Sequence, residues 1–211
     1  MILTAQQGKG QKIHLLLNGE YRLTTNRELW LSCGLVSGME IDEAEFEAFA
    51  ALVEADRAKH KALRLLETRD HCEWELVEKL THSGISRESA QAAAARMAEL
   101  GLVNDEAYAQ RLAEELFRRK GYSPARIEQE LIARGVARET AYEAARAIEG
   151  DPLERLAALL ESKYAPSYKG TERDRRRVVN ALQRLGYSFF DIRRAMEEHG
   201  MWQVADEALH F

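Results

Sequence analysis

At 211 residues the chain suits one domain or two small ones, and an apolar fraction of 45% excludes wholesale disorder. Charged residues reach 31%, but 35 acids offset 30 bases, and a net charge of −5 confines any basic surface to a local patch. The opening residues hold no apolar run suited to a signal peptide and nothing approaches the roughly 18 residues of a membrane span, so the chain reads as cytoplasmic.

In chain order, residues 13–17 are Ile-His-Leu-Leu-Leu, followed by Asn18-Gly19 and Glu-Tyr-Arg-Leu-Thr. Asn-Gly between two apolar-rich segments predicts a β-hairpin over about 11–25, because both turn residues tolerate positive φ. Asn26 is placed to cap a short helix through Cys33, ended by Gly34. Asp42 and Glu45 are spaced as a capping box, opening a helix that runs to about Arg69 with an acidic early half. Cys33 and Cys72 stand apart, outside any C-x-x-C pair, and read as reduced thiols.

From about residue 58 the pattern is helical and periodic. Leu76 and Leu80 precede Gly84-Ile85, Ile127 and Leu131 precede Gly135-Val136, and Val178 and Leu182 precede Gly186-Tyr187. The glycines recur at 84, 135 and 186, a constant interval of 51 residues, and alanine recurs at 93, 144 and 195. Matching residues at one interval indicate a repeat. In each unit an apolar pair four apart shares a helix face, a glycine ends the helix in the left-handed region, and another helix follows. An earlier helix precedes each pair, over about 57–69, 105–120 and 152–164, and the third unit inserts a loop at 164–170. The fold class is mainly α: a tandem array of three three-helix repeats preceded by a small N-terminal β-hairpin and helix module. The expected divisions are 1–56, 57–103, 104–150, 151–200 and a tail at 201–211.

Ordered along the chain, segments 62–80, 100–109, 127–135 and 177–192 resemble those of the RecX family, regulators of the bacterial RecA recombinase. The N-terminal hairpin and Gly38-Met39-Glu40-Ile41 are similar to the extension of longer members. The acidic balance and the tail depart from the pattern. The resemblance implies a protein that binds in the groove of the RecA–single-stranded-DNA filament, blocks its growth and lowers its ATP hydrolysis, strand exchange and co-protease activity in DNA repair and the SOS response. The RecA filament is the implied partner, with single-stranded DNA inside it as a further contact, and the protein reads as a monomer.

A search for chemistry finds no phosphate-binding loop, nucleophile elbow or zinc-protease motif. His14, His60, His71, His82, His199 and His210 show no ligand spacing, so no catalytic residue, metal or cofactor is assigned. The informative cluster is 173–177, Arg-Asp-Arg-Arg-Arg. At 100° per residue, Arg173, Arg176, Arg177 and Arg184 gather opposite Val178, Leu182 and Leu185, forming one arginine face. Arg193 and Arg194 add charge on the next helix. Arg118, Arg119 and Lys120 close an earlier helix, where cations also offset the helix dipole. Tyr164 and Tyr168, beside the inserted loop, are the aromatic contact candidates; of Tyr187, Phe189 and Phe190, most read as core. Trp30, Trp74 and Trp202 read as packing anchors. The alternatives are a helix-turn-helix-like DNA-binding protein and a helical scaffold for another protein.

Overall fold

The computed structural model describes residues 1–202, so the expected tail is represented by Met201 and Trp202, and His210 lies outside the described residues. The chain divides into two compact units: Met1–Arg69 with Leu76–Val103, and Asp70–Glu75 with the chain from Asn104 on.

In the first unit Asn18 and Gly19 adopt φ of +51° and +86°, the left-handed pair that a two-residue hairpin turn needs. They join β2 (Lys12–Leu17) to β3 (Glu20–Asn26). Two further strands, β1 (Ile2–Gln7) and β4 (Met39–Glu40), extend the hairpin to an antiparallel sheet in the order β3-β2-β1-β4. Leu3 pairs with Leu17, and the Asn18 side chain accepts from the Ile2 amide at 2.9 Å. One sheet face buries Leu3, Ile13, Leu15 and Leu17 with Trp30, Ile41 and Phe49. Asn26 caps α1 (Arg27–Ser32) by accepting from the Leu29 amide, and Asp42 with Glu45 forms the capping box of α2 (Glu43–Thr68).

Helix α2 serves two cores. Its early half gives Phe49 to the sheet, and its later half gives Ala58 and Ala62 to the first repeat. There they meet Leu76, Val77 and Leu80 of α3 (Glu73–His82) and Ala90 and Ala94 of α4 (Arg87–Glu99). Glu54 accepts from the Ser86 amide and hydroxyl and from Ser89, which holds its carboxyl below the usual range and ties α2 to the start of α4.

The second unit contains the other two repeats. One comprises α5 (Asp105–Glu115), α6 (Pro124–Ala133) and α7 (Arg138–Arg146); the other α8 (Pro152–Leu159), α9 (Glu172–Arg184) and α10 (Phe189–Glu198). Helices α5 and α8 each end in a π-helical turn, Leu116–Lys120 and Leu160–Tyr164. These turns lie 44 residues apart, seven fewer than the glycine interval. The seven residues lie in a longer connection, 165–171 against 121–123, and in one additional turn at the front of α9.

All three middle helices end alike. The Ile85, Val136 and Tyr187 amides donate to the carbonyls of Leu80, Leu131 and Leu182, and the intervening glycine amide closes the inner bond, a Schellman motif. The glycines have φ of +77°, +86° and +92°. Their surroundings differ. A Cβ on Gly135 would land within 2.5 Å of the Trp74 ring, and one on Gly186 within 2.5 Å of Ser123 and Arg126; beside Gly84 nothing lies within 4 Å. The carbonyl before each glycine also has its own donor. Arg134 O accepts from the Cys72 thiol at 3.1 Å, and Leu185 O from the Ser123 amide at 2.9 Å. Cys72 and Ser123 are themselves 51 residues apart, so one junction is built twice with different chemistry.

Serine caps α4 and α10 through Ser86 and Ser188, but the equivalent position before α7 is Ala137, which gives no side-chain cap. Its φ and ψ of −56° and 142° match those of Ser86. Ala137→Ser is therefore expected to stabilise the second unit by about 1 kcal/mol, read as a raised midpoint in urea unfolding. Tyr187 is buried in the apolar slot after Gly186; its hydroxyl has no partner among the described residues, and burial pushes its pKa up to about 12. Phe189 and Phe190 differ from the sequence reading. They open α10 and stand 49% and 73% exposed, because Ile192, Ala195 and Met196 take its core face.

Candidate partner-binding face

Helix α9 starts where Thr171 accepts from the Asp174 amide and donates to its carboxylate. That bond, with the Lys169 amide and Arg177, holds the Asp174 carboxyl below the usual range. Val178, Val179 and Leu182 are buried on one side, while Arg173, Arg176, Arg177 and Arg184 stand exposed. Arg173 rides on the additional front turn. Arg175 covers the Trp202 ring at 5.0 Å.

The arginine face is partly compensated. Arg176 pairs with Glu172, and Arg177 with Asp174 at 3.4 Å. On α10, Arg193 pairs with Glu197 at 2.8 Å and also covers Trp202, and Arg194 pairs with Glu198 at 3.1 Å. Arg184 donates to the Asn180 carbonyl of its own helix. Among the described residues Arg173 and Arg184 have no ion pair. Exposed pairs of this kind contribute a few tenths of a kcal/mol, so an incoming carboxylate or phosphate exchanges with Glu172 at little cost.

Arg118, Arg119 and Lys120 form the exposed part of the π-helical turn in the other repeat of this unit. Arg119 pairs with Glu115 at 3.1 Å. The Phe117 and Arg118 carbonyls accept from Arg155, which places this cluster against the start of the last repeat. Tyr164 and Tyr168 are half-buried and pack on the core of the last repeat. The Tyr168 hydroxyl donates to the Met201 carbonyl, and Lys163 lies over the Tyr164 ring. The arrangement offers cations on α9 and α10 around a small aromatic anchor, Trp202, with Phe189 edge-on to it at 5.8 Å. Among the described residues no group of three or more His, Cys, Asp and Glu is placed to hold a metal, and no helix is long and apolar enough to cross a membrane.

Sequence reading passed over a second basic stretch. Residues 57–64 contain Arg57, Lys59, Lys61 and Arg64 with no acid, reversing the acidic character of the start of α2. That reversal within one helix was the available signal.

Models of the first and second three-helix domains of RecX match residues 58–97 and 104–144. A regulatory protein RecX from Caldanaerobacter subterraneus subsp. tengcongensis is 30% identical over 190 residues, covering 89% of this chain and 93% of its own length. One from Trichlorobacter lovleyi is 37% identical over 141 residues, covering 65% and 92%. Among solved structures, a regulatory protein RecX superposes with a TM-score of 0.66 at 20% identity over 92% of this chain and 97% of that one, which speaks for the fold alone. RecX from Lactobacillus salivarius gives 0.60 at 20% identity over 71% and 98%. With a relative 30% identical over 89% of this chain and 93% of its own length, and with two RecX domain models matched in order, the chain belongs to the RecX family.

Proposed function

We propose that this chain is a non-enzymatic regulator that binds the RecA filament on single-stranded DNA and lowers its ATP hydrolysis, strand exchange and co-protease activity. Its setting is then DNA repair and the SOS response. The observation that supports this most is the match over 89% of this chain to a relative called regulatory protein RecX. The exposed cations of α9 and α10 support a surface that engages acidic protein or phosphate, since Arg173 and Arg184 have no ion pair among the described residues and the exposed pairs of Arg176, Arg177 and Arg194 are weak enough to exchange.

The test is RecA's DNA-dependent ATPase and strand exchange with the full chain added below stoichiometry. Progressive loss of both is expected, and no effect at saturation overturns the reading. Within it, the triple variant Arg173→Glu, Arg176→Glu and Arg177→Glu is expected to keep its helical circular dichroism while weakening inhibition about tenfold, the size of three rim charges at about 0.5 kcal/mol each. Unchanged inhibition places the interface elsewhere on the chain.

A further inference from the structure

Trp74 fills the space beside Gly135, and Ser123 with Arg126 fills that beside Gly186, but Gly84 has no such neighbour. The carbonyl before it, Ser83 O, is held by the Arg57 guanidinium at 3.0 Å instead. Around this point the first unit opens a groove of about 850 Å3 between the later half of α2 and the ends of β2 and β3. Its charged lining comprises five cations, Lys12, Arg27, Arg57, Lys61 and Arg64, against two carboxylates, Glu28 and Asp56. Asp56 is already engaged, accepting from Asn26 at 2.7 Å and lying 3.3 Å from His60. Lys12, Arg27, Lys61 and Arg64 have no ion pair among the described residues. Unlike Arg176 and Arg177 of α9, they have not found carboxylates of their own.

Arg57, Lys61 and Arg64 recur at helical spacing and form one stripe about 10 Å long at 1.5 Å per residue. Thr25 lines the groove, is 5% exposed, and its Oγ1 has no hydrogen-bond partner among the described residues. An unpartnered buried hydroxyl costs about 1–3 kcal/mol, a penalty that a ligand oxygen would relieve. Guanidinium, ammonium, hydroxyl and amide groups are the donors that proteins direct at phosphate and sugar. The lining offers no aromatic ring other than His60, and its apolar residues are the half-buried Val53 and the buried Ile85, so a peptide partner would find one small apolar contact and a base no stacking platform.

We infer that this groove binds the phosphodiester backbone of single-stranded nucleic acid without reading its bases. A single strand bends into such a groove, whereas a rigid duplex bridges over it. The inference is independent of the RecA reading, because its test contains no RecA.

The test is fluorescence anisotropy of the full chain with labelled single-stranded oligonucleotides of about 30 nucleotides, one oligothymidylate and one of mixed sequence. Both are expected to bind with similar affinity. Engagement of three or four phosphates predicts about 20- to 50-fold weaker binding from 50 to 200 mM salt. The variant Arg57→Gln, Lys61→Gln, Arg64→Gln is expected to lose about tenfold or more. A second variant, Lys12→Gln, Arg27→Gln, Lys61→Gln, Arg64→Gln, spares the Arg57–Ser83 bond and is expected to lose as much. Glutamine at Arg173, Arg176 and Arg177 is expected to leave binding unchanged. Absence of oligonucleotide binding at low salt, binding by both groove variants as tight as that of the unmodified chain, or tighter binding of a matched duplex overturns the inference. Binding of polyglutamate in place of the oligonucleotides also overturns it, in favour of an acidic protein partner.

Discussion

Alanine at Gly186 is expected to destabilise the second unit by about 3–4 kcal/mol, against about 1 kcal/mol for alanine at Gly84, although the two glycines end equivalent helices. Both hold left-handed φ, +92° and +77°, which costs a side-chain-bearing residue about 1–2 kcal/mol. At Gly84 that strain is the whole cost, because the new methyl meets nothing within 4 Å. At Gly186 the methyl would sit 2.4 Å from Ser123 Oγ, 2.5 Å from Arg126 Cβ and 3.2 Å from the Arg126 amide. Cβ and backbone cannot swing aside, so the start of α6 must move. That movement strains the Ser123–Leu185 backbone bond, worth about 1 kcal/mol net, and opens packing around it. Gly135→Ala falls between the two, because its obstacle is the Trp74 ring, which is 48% exposed and has room to turn. Urea unfolding of the three variants checks the order; equal losses at 84 and 186 would mean that the close approach at Gly186 does not bear on stability.

Leu131→Ala is expected to cost about 4–5 kcal/mol, near the upper end for a leucine cavity. Leu131 is fully buried in a core rich in alanine, with Ala109, Ala113, Ala141, Ala144 and Ala145 beside Tyr108, Leu116, Phe117, Ile127 and Val136, whereas among the described residues the core of Leu182 holds Ala195 as its only alanine. Alanine has no rotamer with which to refill a cavity, so the void persists. Leu182 occupies the same place in the last repeat, but its core contains Met196, Leu156 and Leu160. Longer side chains collapse into the space, and Leu182→Ala is expected to cost about 2–3 kcal/mol. Denaturation midpoints of the two variants test the difference; an equal cost would show that neighbouring alanines do not control relaxation here.

Most of the helical architecture was legible because it rests on local chemistry. The apolar pairs and the helix-ending glycines each act within about one turn of their own helix, and the 51-residue interval repeats them. The same holds for Asn18-Gly19 and for Asp42 with Glu45. Strand β1 was missed because its partner is set by the sheet rather than by its composition, and two-residue β4 is too short for a pattern. The arginines of α9 and α10 were legible as exposed, but their compensation by Glu172, Asp174, Glu197 and Glu198 was overlooked, although those carboxylates stand three or four residues away. Phe189 and Phe190 looked like core because hydropathy alone does not tell which face of a first turn is covered. The groove could not be read from spacing at all. Thr25 and Arg57 are 32 residues apart, and only folding sets them on one groove.

The doubled junction has a practical side. One copy is held by the Cys72 thiol, the other by a serine amide, so only the first responds to a thiol reagent. Cys72 is fully buried and burial pushes its thiol up, which keeps it protonated and inert while its contact with Arg134 is made. Its labelling then runs at the pace of local opening. The molecule thereby contains its own clock for one seam of the array, with Cys33, partly open to solvent, as the fast reference and the Ser123 seam silent.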